Sequence, residues 1–195
     1  MLDRSQFFIK EHAGLFKTRD VYDILDPETQ EPLGRAEEAI GGFKQFARWF
    51  INKKLMSTTV ECRDADGHLE FSIYVPVSFF RAKVQVLDPD GEMIGYFKSK
   101  LFSLGGGFWV YDTRDRQVAE IKGNWVGWNF QFLTPEGEEL GVVTKKWAGL
   151  AKEMFTSADN YMVSISEELS DQTTLKRLLL AAALAIDVVY KENQG

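Results

Sequence analysis

The sequence predicts a mainly β fold, a closed barrel of about twelve strands around a buried hydrophobic C-terminal α-helix. Three features carry that expectation. Runs of alternating apolar and polar residues recur along the 195 residues. Turns rich in Asp, Pro and Gly separate them. A Leu/Ala segment near the C-terminus carries no polar residue on any side.

Strict alternation marks a half-buried strand, because successive side chains point to opposite faces. The phrase appears as Val21-Tyr-Asp-Ile-Leu-Asp-Pro, Val60-Glu-Cys-Arg-Asp-Ala-Asp-Gly67 and Val84-Gln-Val-Leu-Asp-Pro-Asp-Gly91. It returns as Phe108-Trp-Val-Tyr-Asp-Thr and Trp128-Asn-Phe-Gln-Phe-Leu-Thr-Pro-Glu-Gly137. Asp-Gly between two such runs closes a tight turn, since glycine accepts positive φ. Strands are predicted near 6–11, 16–25, 33–38, 58–64, 68–76, 83–88, 93–101, 108–112, 117–122, 127–133, 139–147 and 160–166. So many strands in one short chain leave long edges unless the sheet closes.

Two segments depart from alternation. Residues 41–55 place Phe43, Phe46, Trp49 and Phe50 at helical spacing. Residues 174–190 are rich in Leu and Ala, and 178–186 are wholly apolar, including Leu178, Leu179, Ala182, Leu184, Ala185 and Ile186. A helix apolar all round is either buried or membrane-spanning. A span takes about 20 apolar residues; this run meets Asp187 well short of that and starts beside Lys176 and Arg177. A helix inside a barrel is therefore expected, its alanines letting strands approach.

Composition narrows the function classes. The single cysteine, Cys62, excludes an internal disulfide and suits a reducing compartment. No basic n-region with an apolar run follows Met1, so no secretory leader is expected. The formal net charge of −6 disfavours a whole-surface nucleic-acid binder. Charge is uneven: residues 20–38 hold seven acids against Arg35, whereas 43–55 hold Lys44, Arg48, Lys53 and Lys54 without an acid.

Phe8-Ile-Lys, Tyr22-Asp-Ile, Gly34-Arg-Ala-Glu-Glu38, Val86-Leu-Asp-Pro-Asp-Gly91 with Ile94-Gly95, and Ile121-Lys-Gly-Asn-Trp125 with Trp128 form an ordered set of motifs. In that order they resemble the phospholipid scramblase and LURP-one-related family. The most specific is Lys145-Lys-Trp147, Lys152-Glu153, Phe155-Thr156 and Ala158-Asp-Asn-Tyr161, leading into the Leu/Ala helix and Ile186-Asp187. The resemblance spans about residues 7–192 and implies a tubby-like barrel, one domain over 1–195. The Pro-rich arm and cysteine cluster of many eukaryotic scramblases have no counterpart here, which places the chain nearer the LURP-one type.

Catalytic motifs are missing: there is no nucleophile elbow, no phosphate loop, and His12 and His68 lie far apart in sequence. Gly105-Gly-Gly107 reads as a turn and Cys62 as a quiet structural thiol. Scramblases are implied to bind calcium before the C-terminal helix. Here Ser157 stands first, Tyr161, Val163 and Ile165 offer no carboxylate, and only Asp159 and Glu168 remain as weak ligands, so no tight site and no cofactor is expected. Asp64-Ala-Asp66-Gly67 and Asp88-Pro-Asp90-Gly91 read first as hairpin turns.

The expected function is a non-catalytic membrane-associated or lipid-binding module, or an interaction scaffold, cytoplasmic and peripheral at the membrane. Its expected partners are an anionic phospholipid or phosphoinositide and a protein. Lys44, Arg48, Lys53 and Lys54 are the candidate lipid residues, and Phe43, Phe46 and Phe50 equally suit a cap on the barrel mouth. The resemblance to tubby-type domains, which bind phosphoinositides through paired exterior bases, adds Lys145 and Lys146. The alternative, a true scramblase, needs a polar track at membrane depth, which the apolar helix does not supply.

Overall fold

The computed structural model describes residues 1–12, 20–39, 57–76, 83–99, 107–124, 127–145, 160–169 and 171–194. The strands are β1 (Gln6–Glu11), β2 (Val21–Leu25), β3 (Pro32–Glu38), β4 (Thr58–Asp64), β5 (Leu69–Val75) and β6 (Val84–Leu87). They continue with β7 (Met93–Ser99), β8 (Gly107–Tyr111), β9 (Gln117–Asn124), β10 (Asn129–Leu133), β11 (Glu139–Thr144) and β12 (Tyr161–Ile165). A 3-10 turn (Glu167–Leu169) leads into helix α1 (Thr173–Gln194). Each strand pairs antiparallel with the next, and β1 pairs with β12, from Gln6 against Ser164 to Ile9 against Tyr161, so the meander closes.

The barrel exists because α1 has to be covered. Every residue of 178–186 is at most 2% exposed, so all faces of that stretch are enclosed. Inward side chains supply the cover: Phe7 and Ile9 of β1, Tyr22 and Ile24 of β2, Phe130 and Phe132 of β10. Gly95 of β7 lets the helix come close, since a Cβ there would meet Leu178 Cδ2 at 2.8 Å and the Tyr111 carbonyl oxygen at 2.6 Å. The half-buried pair of Arg177 with Glu70 of β5, at 3.2 Å, ties the helix start to the wall. Among the described residues, no helix is long and apolar enough to cross a membrane.

One device builds the five hairpins. The first residue of each loop donates its backbone N–H to the carbonyl that ends the loop, as Asp64 N–H does to the His68 carbonyl at 2.9 Å. Asp26, Asp64, Asp88 and Asp112 each accept two loop N–H groups on one carboxylate oxygen, at 2.8–3.0 Å. A register shift follows in every case. Each loop places one residue in the left-handed region: Gln30, Gly67, Gly91, Asp115 and Gly137.

Several predicted bounds shift. The β2 expectation began at 16, but the strand starts at Val21, and 16–19 lie outside the described residues. Residues 127–128 form a turn instead of opening β10, because Trp128 has a left-handed φ of 44°. The helix predicted over 41–55 lies outside the described residues, as do Gly105 and Gly106; Gly107 opens β8.

Two outcomes test this packing. Ala182→Arg buries a charge in the apolar interior, and loss of the folded circular-dichroism signal and of soluble yield is expected. Cys62 is buried, and burial pushes its thiol well above the ordinary range. A thiol reagent should leave native protein unmodified and react fully in denaturant.

Candidate functional site

An antiparallel meander sorts its connections by parity. The five hairpins and the β12–α1 link leave from one end of the barrel, and the other six connections leave from the opposite end. The hairpin loops and the link, residues 26–31, 64–68, 88–92, 112–116, 134–138 and 166–172, contain fifteen acids against Arg114 and Arg116. The other six connections, residues 12–20, 39–57, 76–83, 100–106, 125–128 and 145–160, contain twelve bases in sequence against Asp20, Glu153 and Asp159. The hairpin end is thus acidic, and the other is called the basic end after the composition of the connections that join the strands there.

An aromatic and basic face lies on the barrel exterior toward the basic end. Lys98 sits opposite Trp109 across β7–β8, and Trp109 opposite Glu120 across β8–β9. Cross-strand partners share a face. Trp109 is 36% exposed, one of two large apolar side chains so exposed among the described residues. Lys122, two residues along the same face, pairs with Glu120 at 3.3 Å. The Lys98 ammonium lies 4.8 Å from the Tyr111 ring centroid and 5.5 Å from that of Tyr96. Those two tyrosines stack at 5.0 Å with planes 12° apart. Lysines held over aromatic rings keep their charge while their stems cover apolar surface.

Asp115 fixes the edge of this face. It takes the left-handed position that glycine fills in three of the other hairpins, with φ of 57°. Its carboxylate accepts the Tyr96 hydroxyl at 2.5 Å and the Lys83 ammonium at 3.3 Å. The Tyr96 hydrogen bond, then Lys83, holds the Asp115 carboxyl below its ordinary range. Burial, then the carboxylate, raises the Tyr96 hydroxyl. Lys83 lies 3.8 Å from the Tyr96 ring centroid, and hydrogen bonding to Tyr96 raises its ammonium. The three groups are therefore locked as anion, neutral phenol and cation at neutral pH.

The predicted site residues scatter differently. Lys145 follows β11 at the basic end, half-buried, its ammonium 4.2 Å from the Trp128 ring centroid. Lys44, Arg48, Lys53, Lys54, Lys146 and Asp159 lie outside the described residues. Glu168 is exposed on the 3-10 turn, on the acidic end. Tyr161, Val163 and Ile165 form β12, as their alternation implied. Among the described residues, Asp64, Asp66 and His68 bring ligand atoms within 4.8 Å of one another, in the hairpin loop where Asp64 already accepts both N–H groups. The Lys98–Trp109–Lys122 face escaped the sequence reading: its bases sit singly on three strands, and only register brings them together.

A family model described as Scramblase matches residues 10–193. Human phospholipid scramblase family member 5 is 22% identical over 191 residues, covering 91% of this chain and 68% of that protein. Mouse phospholipid scramblase 1 is 23% identical over 120 residues, 58% of this chain and 36% of the relative. Human phospholipid scramblase 2 is 24% identical over 119 residues, 57% and 39% respectively. No solved structure matches the chain.

The Asp115 contacts set an acid dependence. A carboxyl held below its ordinary 3.8 stabilises the fold above that pH, and the contribution is lost as pH falls through the lowered value. Asn tolerates the left-handed turn but carries no charge. Asp115→Asn should be less stable at neutral pH and should lose less stability on acidification from about pH 5 to about pH 2. Urea midpoints across that range measure it; parallel losses would show that the contact contributes nothing.

Proposed function

The chain belongs to the scramblase family, and from that premise we propose that it is a non-catalytic lipid-binding module of tubby-like type that docks on anionic membrane surfaces from the cytoplasmic side. The observation that carries the reading is the exposed Trp109 between Lys98 and Lys122, on the exterior toward the basic end. Tryptophan favours the boundary between headgroups and acyl chains, where its ring is apolar and its N–H stays wet. Lysines beside it add attraction to anionic headgroups of about 1 kcal/mol each. The connection that carries Lys44, Arg48, Lys53 and Lys54 joins β3 to β4 at that same end, as Lys145 and Lys146 follow β11 there. The acidic hairpin end then points away from the membrane, where like charge would otherwise oppose approach.

Catalysis and a tight calcium site form no part of this proposal. A second reading, lipid transfer between leaflets, is favoured by the names of the phospholipid scramblases that the chain resembles. A lipid-flip assay in vesicles with and without calcium separates the two readings.

Co-sedimentation with phosphatidylcholine vesicles, with and without phosphatidylserine, tests the first. Binding should require phosphatidylserine and fade as salt shortens the screening length toward about 8 Å. Replacing Lys98 and Lys122 together by Gln should weaken it roughly thirtyfold with little change in melting temperature. Reversing Lys53 and Lys54 to Glu should weaken it as well. Unchanged binding in both double variants would overturn the proposal.

A further inference from the structure

At the acidic end, α1 enters the barrel without filling its mouth. A cleft of about 370 Å³ remains beside the helix start, against the β6–β7 and β8–β9 sides. Its apolar lining comes from Ile94, Val118, Leu175 and Leu178, and its polar edge from Asp112 and Asp171, with the helix-opening residues between. The volume falls within the range of ligand pockets, about 300–1,000 Å³. Apolar surface of this kind at a rim otherwise made of polar turns calls for an occupant with an apolar part.

Charge selects the class of occupant. The loops at this end of the barrel together hold fifteen acids against Arg114 and Arg116. Asp112 is already paired with Arg116 at 2.7 Å. Asp171 is exposed and makes no ion pair among the described residues. The exposed Asp171 and the surplus of acids in the loops disfavour a fatty acid or an anionic headgroup. Peptide carbonyls, by contrast, can accept the N–H groups of the first helical turn, which have no preceding intrahelical carbonyl.

We propose that this cleft is a docking site for a short segment of a partner protein that combines apolar side chains with Lys or Arg, bound at the end of the barrel opposite the lipid-facing surface. The apolar side chains fill the floor, and the bases meet Asp171 and the acidic loops. A module held to a surface by one end would then present the other to a partner.

Isotope-labelled full-length chain, followed by amide NMR, tests this with two blocked pentapeptides, Lys-Leu-Arg-Leu-Lys and its Glu-Leu-Asp-Leu-Glu counterpart. The basic peptide should give saturable shifts centred on the amides of Ile94, Val118 and residues 173–178, and the acidic peptide none. Asp171→Lys, a surface change remote from the core, should weaken the basic peptide about threefold to tenfold while leaving phosphatidylserine-vesicle binding intact. Gln at Lys98 and Lys122 should do the reverse, so this proposal and the lipid reading fail separately. No saturable shifts, shifts spread evenly over all five hairpin loops, or equal response to the acidic peptide would overturn it. The same amides shifting with phosphatidylserine vesicles would overturn it in favour of a lipid site.

Discussion

A helix that is apolar on every face has to be covered on every face, and the rest of this structure follows from that requirement. An open sheet packs against one side of a helix and leaves the other in water. Only closure encloses 178–186 completely, and closure also removes the sheet edges that twelve strands would otherwise expose. Each buried leucine contributes about 1.5–3 kcal/mol relative to exposure. The alanines contribute less burial but allow close approach, which Gly95 matches from the wall side.

Closure by a simple meander has an electrostatic consequence. Connections alternate strictly between the two ends, so residues far apart in sequence collect into two groups. The hairpin end is acidic for a local reason: Asp is the residue whose carboxylate caps the loop N–H groups in four of the five hairpins. Carboxylates that shape the loops therefore also set the sign of that end.

Asp115 shows how one position can serve both purposes. Its neighbours in the equivalent loops are Gly67, Gly91 and Gly137, which take the left-handed conformation without strain. Asp tolerates that conformation at some cost and adds a carboxylate that reaches Tyr96 and Lys83 on the outer face. Local backbone strain is offset by contacts that order the aromatic and basic face. The hairpin thus connects loop geometry to the surface on which the lipid reading rests.

Local pattern determined much of this protein: period-two alternation placed the strands, Asp and Gly placed the turns, and the uninterrupted apolar run 178–186 implied a helix enclosed by its own barrel. Those features are carried by neighbouring residues and are legible without coordinates. Alternation did not foresee that Phe8 and Met162, facing each other across β1–β12 on the side away from the helix, are also fully buried. Nor could it bring Lys98, Trp109 and Lys122 together, since β-sheet register decides which side chains meet across strands and a one-residue slip would turn each to the other face. The separation of acidic and basic ends was likewise written in the loops but hidden by the net charge. It became visible only when strand pairing assigned each loop to an end, because opposite charges in sequence neighbours cancel in a sum and not in space.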